Sequence, residues 1–376
     1  MYRRDLESVL VTDSLAGVER DEWNALAGPQ PFMRHEFLSA LMETGCACAR
    51  TGWAPQFLLL RRAGALAAAM PIFAKTHSYG EYVFDWAWAD AHERHGVEYY
   101  PKLVCAVPFT PVRGARLLGS VSARETLIKA ALDLAQDFSS LHVLFARDED
   151  ASLLAESGFL LRRTVQFHWN NDGYADFEDF LARLSHQRRK NIRQERRRVR
   201  EAGVTFRWLE GAGIERAHWE FFNRCYRRTY AAHRSTPYLG LEFFLRLGAT
   251  LPDNVTLVLA ERQGKPVAAS LLLRDAHALY GRYWGAMEHI PLLHFECCYY
   301  QAIEYAIDRK LQVFEGGAQG EHKIFRGLMP VQTLSAHWLA DRRFSRAVED
   351  FLERETLGIT QYVNELVEHT PFKEKG

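Results

Sequence analysis

The chain has 376 residues, enough for two domains, each with its own core. It is 48% hydrophobic and 25% charged, as globular proteins are, and 47 cationic side chains balance 47 anionic ones, so attraction to an anionic partner has to come from local clustering. Six cysteines make no paired CxxC set, no run reaches the ~20 apolar residues of a membrane span, and Met1 to Asp5 lead into no apolar leader; this argues against zinc, redox and membrane-spanning classes and sets a cytoplasmic location as the expectation.

In chain order, residues 6–12 read as a strand, and 21–27 and 35–43 as short helices, the second closed by Gly45. Strands follow at 56–62 and 65–74 around an Ala63-Gly64 turn, then an aromatic strand at 82–88 and a short strand at 103–107. Residues 122–138 predict a helix capped by Ser122, with Glu125 as its capping-box partner. A buried strand at 141–145, a helix at 151–157 and a strand at 159–169 end at Asn170-Asn171-Asp172-Gly173. That turn-rich stretch marks the expected boundary between a domain of residues 1–172 and one of 173–376.

The second part opens with one long basic helix, 177–202, then a strand at 204–209, helices at 214–230 and 241–247, and strands at 255–262 and 266–274 across Gly264. An aromatic strand at 279–284 carries Tyr280, Arg282 and Trp284. After a loop at 288–291, a helix from His294 places Tyr299, Ile303 and Ile307 on a buried stripe, with Glu296 on the side of Tyr300. A strand at 311–314 runs into Glu315-Gly316-Gly317-Ala318-Gln319-Gly320-Glu321-His322-Lys323. Glycines at a strand end let a ligand approach the backbone, and open α/β sheets bind ligands beyond strand C-termini. The stretch 278–329 therefore reads as a cleft. A late strand at 331–339 and a helix at 344–368 finish the chain.

The hairpin FLLLRRAGALAAAMPI at 57–72 parallels LVLAERQGKPVAASLL at 257–272: Arg62, Gly64, Ala68 and Ala69 match Arg262, Gly264, Ala268 and Ala269 at an offset of 200. With the similar order of neighbouring elements, this predicts two related halves. Between 183 and 200 the basic helix holds nine cations against Glu195 alone, with a sparse apolar stripe of Leu184, Ile192 and Val199. Nine like charges on about five turns repel, so the helix has either acidic neighbours within the chain or an anionic partner such as an RNA backbone. No GxSxG, HExxH, Walker A or GxGxxG occurs in a fitting context, which argues against triad hydrolases, zincins, P-loop enzymes and Rossmann oxidoreductases.

YYPKL at 99–103, GRYWG at 281–285, LHFECCYYQAIEYAI at 293–307 and EGGAQGEHKIFRG at 315–327 resemble a Fem-like family labelled peptidoglycan biosynthesis or recognition. Arg188 to Arg193 resembles the basic helix that opens the second Fem half, and Lys323-Ile-Phe-Arg-Gly327 its FKxxFG-like segment, with His322 where the family has phenylalanine. The resemblance implies an α/β (α+β) fold of two tandem GNAT-like domains, each a mixed central sheet flanked by helices. It also implies direct acyl transfer, an amine attacking an ester or thioester without a covalent enzyme intermediate.

The donor would be aminoacyl-tRNA or acyl-CoA, with no tightly bound cofactor or metal. The acceptor would be a small molecule or peptide amine, and tRNA would lie on the basic helix at 183–200. A Gln or Arg followed by spaced glycines, the usual pyrophosphate loop, is replaced by residues 288–293, which argues against CoA. On this reading Glu296, His294 or His322 is the base or proton relay. Lys323 and Arg326, with Arg188 and Lys190, hold donor phosphate. Tyr280, Arg282, Trp284, Tyr300, Glu315 and Gln319 line the acceptor pocket, with Asp85, Tyr100 and Lys102 from the first half. Two other readings stay open: an acyl-CoA N-acyltransferase acting on a small amine, and a non-catalytic module binding a peptidoglycan precursor or RNA.

Overall fold

A computed structural model describes residues 8–318 and 320–373. The first elements are β1 (Ser8–Thr12), α1 (Arg20–Ala27), α2 (His35–Glu43), β2 (Trp53–Pro55), β3 (Phe57–Arg62), β4 (Ala65–Met70) and β5 (Ile72–Lys75). Then come α3 (Trp86–Arg94), β6 (Lys102–Cys105), β7 (Leu118–Gly119), α4 (Val121–Ala135), β8 (Ser140–Ala146), α5 (Asp148–Glu156) and β9 (Leu160–Asn170). The second stretch holds α6 (Phe177–Arg183), α7 (His186–Glu201), β10 (Val204–Glu210), α8 (Arg216–Ala232) and α9 (Leu241–Thr250). Strands β11 (Val255–Arg262), β12 (Lys265–Arg274) and β13 (Ala278–Ala286) precede a helix in three pieces: α10 (Leu293–Phe295), a π-helical turn (Glu296–Tyr300) and α11 (Gln301–Asp308). Strands β14 (Val313–Glu315) and β15 (Met329–Leu339) and helix α12 (Arg342–Glu368) complete the fold, which is of the expected α/β class.

Contacts divide the chain into two compact units. One runs to Thr164 and includes Gln332–Thr360; the other is Val165–Val331 with the chain from Gln361. Residues 332–360 thus group with the first unit, although the sequence reading counted them with the second half. In the first unit β1, β3, β4 and β7 form one sheet, while β2, β5, β6, β8 and β15 pair in a second. In the second unit the order is β10-β11-β12-β13-β14-β9. Its core packs Tyr300, Ile303, Ala306 and Ile307 of the three-piece helix with Val258, Ala268, Leu272 and Phe314 of the sheet.

The internal repeat extends to backbone detail. Leu58, Leu59 and Leu60 face Met70, Ala69 and Ala68; Val258, Leu259 and Ala260 face Ser270, Ala269 and Ala268. Both ladders shift register one residue later, at Leu60/Arg61 and Ala260/Glu261. Both turns have positive φ at two successive residues, Ala63-Gly64 and Gln263-Gly264, the conformation that closes a two-residue hairpin. A shared bulge at an offset of 200 is more telling than shared hydrophobicity, because the bulge needs one extra residue at one place.

Four expectations are corrected. Residues 82–85 form no strand, and α3 begins at Trp86. From Glu81 to Trp86 the side chains alternate, Glu81, Val83 and Asp85 inward and Tyr82, Phe84 and Trp86 outward, a period-two pattern held by side chains rather than by a neighbouring strand. The predicted strand 65–74 splits at Pro71, which lacks the N–H a continuous ladder would use, and β4 and β5 pair in different sheets. Helix α4 starts one residue earlier than expected, with Ser120 rather than Ser122 at its cap position and no side-chain cap bond. The long basic helix breaks at Leu184-Ser185, where Leu184 is extended and buried against Phe372 and the Ser185 N–H donates to Pro371 O (2.9 Å). Of the predicted first strand, residues 6 and 7 lie outside the described residues. The six cysteines are all free thiols, and among the described residues no helix is long and apolar enough to cross a membrane.

Candidate functional site

Strands β13 and β14 run parallel through Ala278↔Val313, Leu279↔Phe314 and Tyr280↔Glu315. Beyond that point they part. β13 stays on β12 as far as Ala286, while the chain after β14 turns to β9, where Gly316 N–H donates to Phe167 O (2.9 Å) and Phe167 N–H to Gly317 O (3.1 Å). The gap is a cavity of about 130 Å³, walled by Arg282 and Trp284 of β13, Ser270 of β12, Gly316 after β14, and His294, Cys298 and Tyr299 of the three-piece helix. Small residues keep the walls close: a Cβ on Gly285 would run into Cys225 O of α8, and one on Gly281 would sit 3.2 Å from the Phe314 ring. The π turn falls inside this wall, and single π turns recur at functional sites because they re-aim side chains.

The cavity is cationic and aromatic. The His294 ring lies 4.9 Å from Trp284 and 5.5 Å from Tyr299. Tyr299 Oη is 3.3 Å from His322 Nε2, and His322 also packs on Phe295. Burial, helped by His322, Arg326 and Lys323, holds the His294 pKa down at about 4, so its imidazole is neutral at pH 7. Burial lowers the pKa of His322 too, again helped by Arg326 and Lys323. Lys323 is buried and donates to Gly317 O (3.2 Å); burial brings its pKa down to about 8. Burial pushes the Cys298 thiol up to about 12, so it stays protonated and is a poor nucleophile. Burial likewise raises the Tyr299 phenol, which stays protonated.

Other expected site residues lie elsewhere. Glu296 does not line this cavity. It accepts from Arg196 Nε (3.0 and 3.2 Å) and Gln301 Nε2 (2.9 Å) and borders a separate groove of about 430 Å³ with Arg200, Trp208 and Glu304. The same-side reading of Glu296 and Tyr300 agrees with the structure, but the side faces α7, where Tyr300 donates to Glu195. Arg326 sits in an internal ion pair, with Nη2 on both Glu195 oxygens (3.0 and 2.9 Å), Nη1 on His322 O (2.8 Å) and its guanidinium 3.5 Å over Phe295. Tyr280 donates to Asp275 (2.9 Å), and Glu315 lies 3.9 Å from His168. Gln319 is outside the described residues. Sequence reasoning passed over Ser270, Cys298 and Tyr299 as cavity wall. The first two resemble ordinary core residues, and Tyr299 fitted the buried stripe.

Helix α7 has both of the settings left open by its charge. Arg196 binds Glu296 and Glu304 (2.6 Å), Arg193 pairs with Glu178, and Arg188 stacks 3.8 Å over Phe325. Arg189, Lys190, Arg193, Arg197 and Arg200 fall on one helix face, away from buried Ile192 and Val199. Among the described residues Arg189, Lys190 and Arg200 have no acidic partner.

In the first unit, Asp85 and Lys102 meet inside a closed cluster. Lys102 Nζ donates to Asp85, to Glu81 Oε2 (2.8 Å) and to Ser78 Oγ (2.8 Å). Tyr100 reaches the same Ser78 (2.8 Å), and Tyr99 donates to Asp85 (2.6 Å) and lies 3.1 Å from His142 Nε2. Lys75 adds a second buried cation, 3.9 Å from Glu81 and 3.9 Å over the Trp53 ring. Glu81 and Lys75 were not expected from the sequence; the charges hidden among aromatics at 75–85 were the available signal.

A family described as FemAB-like, peptidoglycan biosynthesis/recognition, matches residues 14–374. No curated protein matches the sequence significantly. Among solved structures, FemX superposes with a TM-score of 0.55 at 10% identity over 88% of this chain and 98% of its own. L-PGS from Bacillus licheniformis superposes with a TM-score of 0.55 at 11% identity over 86% of this chain and 91% of its own. At such identity the likeness is one of fold.

Proposed function

The chain belongs to the FemAB-like family, and from that premise we propose that it moves an acyl or aminoacyl group from an activated, phosphate-bearing donor to an amine. The observation that carries this reading is the cavity where β13 and β14 part, with a neutral histidine in its wall and a second histidine and a buried ammonium beside it. The attacking amine forms a C–N bond to the donor carbonyl and gives up a proton. The Tyr299 hydroxyl, in the wall, receives that proton as its own passes to His322 Nε2. The carbonyl oxygen becomes an oxyanion facing Lys323, and the carbon–oxygen or carbon–sulfur bond to the donor then breaks, with the proton returned to the leaving group. His294 is the alternative proton acceptor. Glu296 is set aside as the base because Arg196 and Gln301 hold it in another groove.

The bare cations of α7 favour aminoacyl-tRNA over acyl-CoA as donor, because a stripe of this length matches a run of phosphates. A peptidoglycan precursor is the proposed acceptor, in keeping with the family's description. The test is thermal: aminoacyl-tRNA, acyl-CoA and a muramyl peptide are each titrated and the melting temperature is followed. The reading expects aminoacyl-tRNA and the muramyl peptide each to raise it, and transfer when both are present. Stabilisation by acyl-CoA alone would establish the small-amine alternative, and tRNA binding without any transfer would leave a binding module. Replacing Arg189, Lys190 and Arg200 together by glutamine should cut tRNA affinity at low salt by at least tenfold and flatten the dependence of log Kd on log salt. An unchanged salt slope would remove the stripe from the donor site.

A further inference from the structure

We propose that the groove bordered by Glu296 is a pocket for one unstacked nucleotide, with an amino-bearing base on its floor and the phosphate on Arg200. The groove measures about 430 Å³ and has three kinds of wall: the rings of Phe206 and Trp208 from β10, the Arg200 guanidinium of α7, and Glu296, Gln301 and Glu304 of the three-piece helix. Helix α7 has no phenylalanine, tyrosine or tryptophan of its own; the fold brings the two rings of β10 beside its cations. Both rings are half-buried rather than packed away in the core. Trp208 Nε1 donates to Gln301 Oε1 (3.0 Å), and the ring meets Tyr305 edge to face at 5.3 Å, so its attitude is set before a ligand arrives. Aromatic walls of this kind stack flat rings, nucleobases among them.

The floor selects the ring. Glu296 is 3% exposed and still lines the groove. Its Oε1 accepts from Arg196 Nε (3.0 Å) and Gln301 Nε2 (2.9 Å), whereas Oε2 has only a longer bond from Arg196 (3.2 Å) among the described residues. A carboxylate has about four lone-pair positions, so Oε2 can accept again. Gln301 Nε2 uses one N–H on Glu296, and its second has no partner among the described residues. An acceptor beside a donor complements the N4 amine and N3 of cytosine, whereas uracil turns a carbonyl toward the carboxylate. A plain hydrocarbon ring would leave both groups unpaired. Arg200 selects the tail: it lacks an acidic partner among the described residues and shares its helix face with Arg189 and Lys190. A small aromatic acid would use one of these cations; a nucleotide within a strand uses the row. Arg196 pairs with both Glu296 and Glu304, so the carboxylates present no uncompensated charge to a phosphate.

An RNA strand as the source of the nucleotide rests on the proposed function; the pocket itself does not. The full-length chain is titrated at low salt with CMP, UMP and ribose 5-phosphate by calorimetry, and with oligocytidylate and oligouridylate of equal length by fluorescence anisotropy. Saturable one-to-one binding of CMP is expected, about fivefold or more tighter than UMP and about tenfold or more tighter than ribose 5-phosphate, with the same base preference in the oligomers. Trp208→Leu and Phe206→Leu should each weaken CMP binding about tenfold. The half-buried Phe206 carries the test should Trp208→Leu lose its fold. Glu296→Gln, with its oxygen kept on Arg196, turns an N–H toward the groove and should move the preference toward UMP. CMP binding without oligomer binding would keep the pocket, make a free nucleotide its ligand and remove RNA as the donor. Oligomers that bind without base preference, equally well to both ring variants, would leave the α7 stripe in place and overturn the pocket. No saturable CMP binding, ribose 5-phosphate bound as tightly as CMP, or an unchanged cytosine preference in Glu296→Gln would overturn it too.

Discussion

Under the proposed function, Lys323→Ala will lower the rate of acyl transfer by ~10²-fold or more while leaving the fold intact. The two halves of that expectation have one cause. Lys323 is 5% exposed, its Nζ donates to the Gly317 carbonyl, and among the described residues it has no carboxylate partner. A buried cation of this kind is a cost to folding unless something arrives to share its charge. Burial holds its pKa at about 8, below the usual 10.5. The unfolded chain therefore gains its proton first as pH falls from 10.5, and the penalty grows until the folded form is also charged, below about 8. Lys323→Met should accordingly be more stable than the parent at pH 7, with the gap closing between pH 8 and 10.5 in urea titrations. Catalysis should run the other way. If the cation faces an oxyanion or phosphate, kcat/KM falls as pH rises through about 8, and Lys323→Arg, which keeps its charge, extends activity to higher pH. Unchanged kinetics in purified Lys323→Ala would exclude the residue from the site, and a loss of stability at pH 7 would mean that its charge has a partner.

The sequence made some of this legible and not the rest, for physical reasons. The two hairpins could be matched at an offset of 200 because a tight turn and its bulge fix both residue type and spacing, so Gly64 and Gly264 mark the same event. The aromatic strand carrying Arg282 and Trp284 was likewise local information. The stretch 82–88 reads as a strand because inward and outward side chains alternate from Glu81 to Trp86 as in one. What holds it is Lys102, a single amine that collects Ser78, Glu81 and Asp85 and leaves no pairing pattern in the chain. The proposed role of Glu296 turned on direction. Its spacing from Tyr300 put both on one face, and only the position of α7, whose Glu195 and Arg196 meet them, decides that this face looks away from the cavity. The basic run met the same limit: Glu178, Glu296 and Glu304 answer part of its charge from positions that spacing alone does not connect.

Lys102→Met will destabilise the first unit by about 3–5 kcal/mol, the usual cost of removing one partner from a buried ion cluster. The side chain is fully buried, and all three of its N–H donors are used, on Ser78, Glu81 and Asp85. Methionine fills much of the same volume, so the loss measures uncompensated charge rather than a cavity. Lys75 cannot replace it, because its Nζ is 3.9 Å from Glu81 and is directed to Tyr79 O. The pH dependence makes the test specific. Burial alone would raise the Asp85 pKa; Lys102 beside it and the nearby His142 overcome that and hold it at about 2, against an ordinary 3.8. In the parent, the stabilisation from Asp85 is therefore complete above pH 3.8 and disappears as pH falls through 2. Without Lys102 the burial effect dominates, protonated Asp85 is the favoured buried form, and the Asp85 contribution should favour the variant increasingly as pH falls toward 3.8 and then stay flat, without the parent's loss between 3.8 and 2. The triple variant Lys102→Met, Glu81→Gln, Asp85→Asn should recover part of the loss, since it removes the stranded charges along with their partner. Urea midpoints read from tryptophan fluorescence between about pH 2 and 4, below the range in which Glu81 titrates, decide the matter: a loss of stability in Lys102→Met as steep as the parent's would show that Lys102 is not what keeps Asp85 ionised.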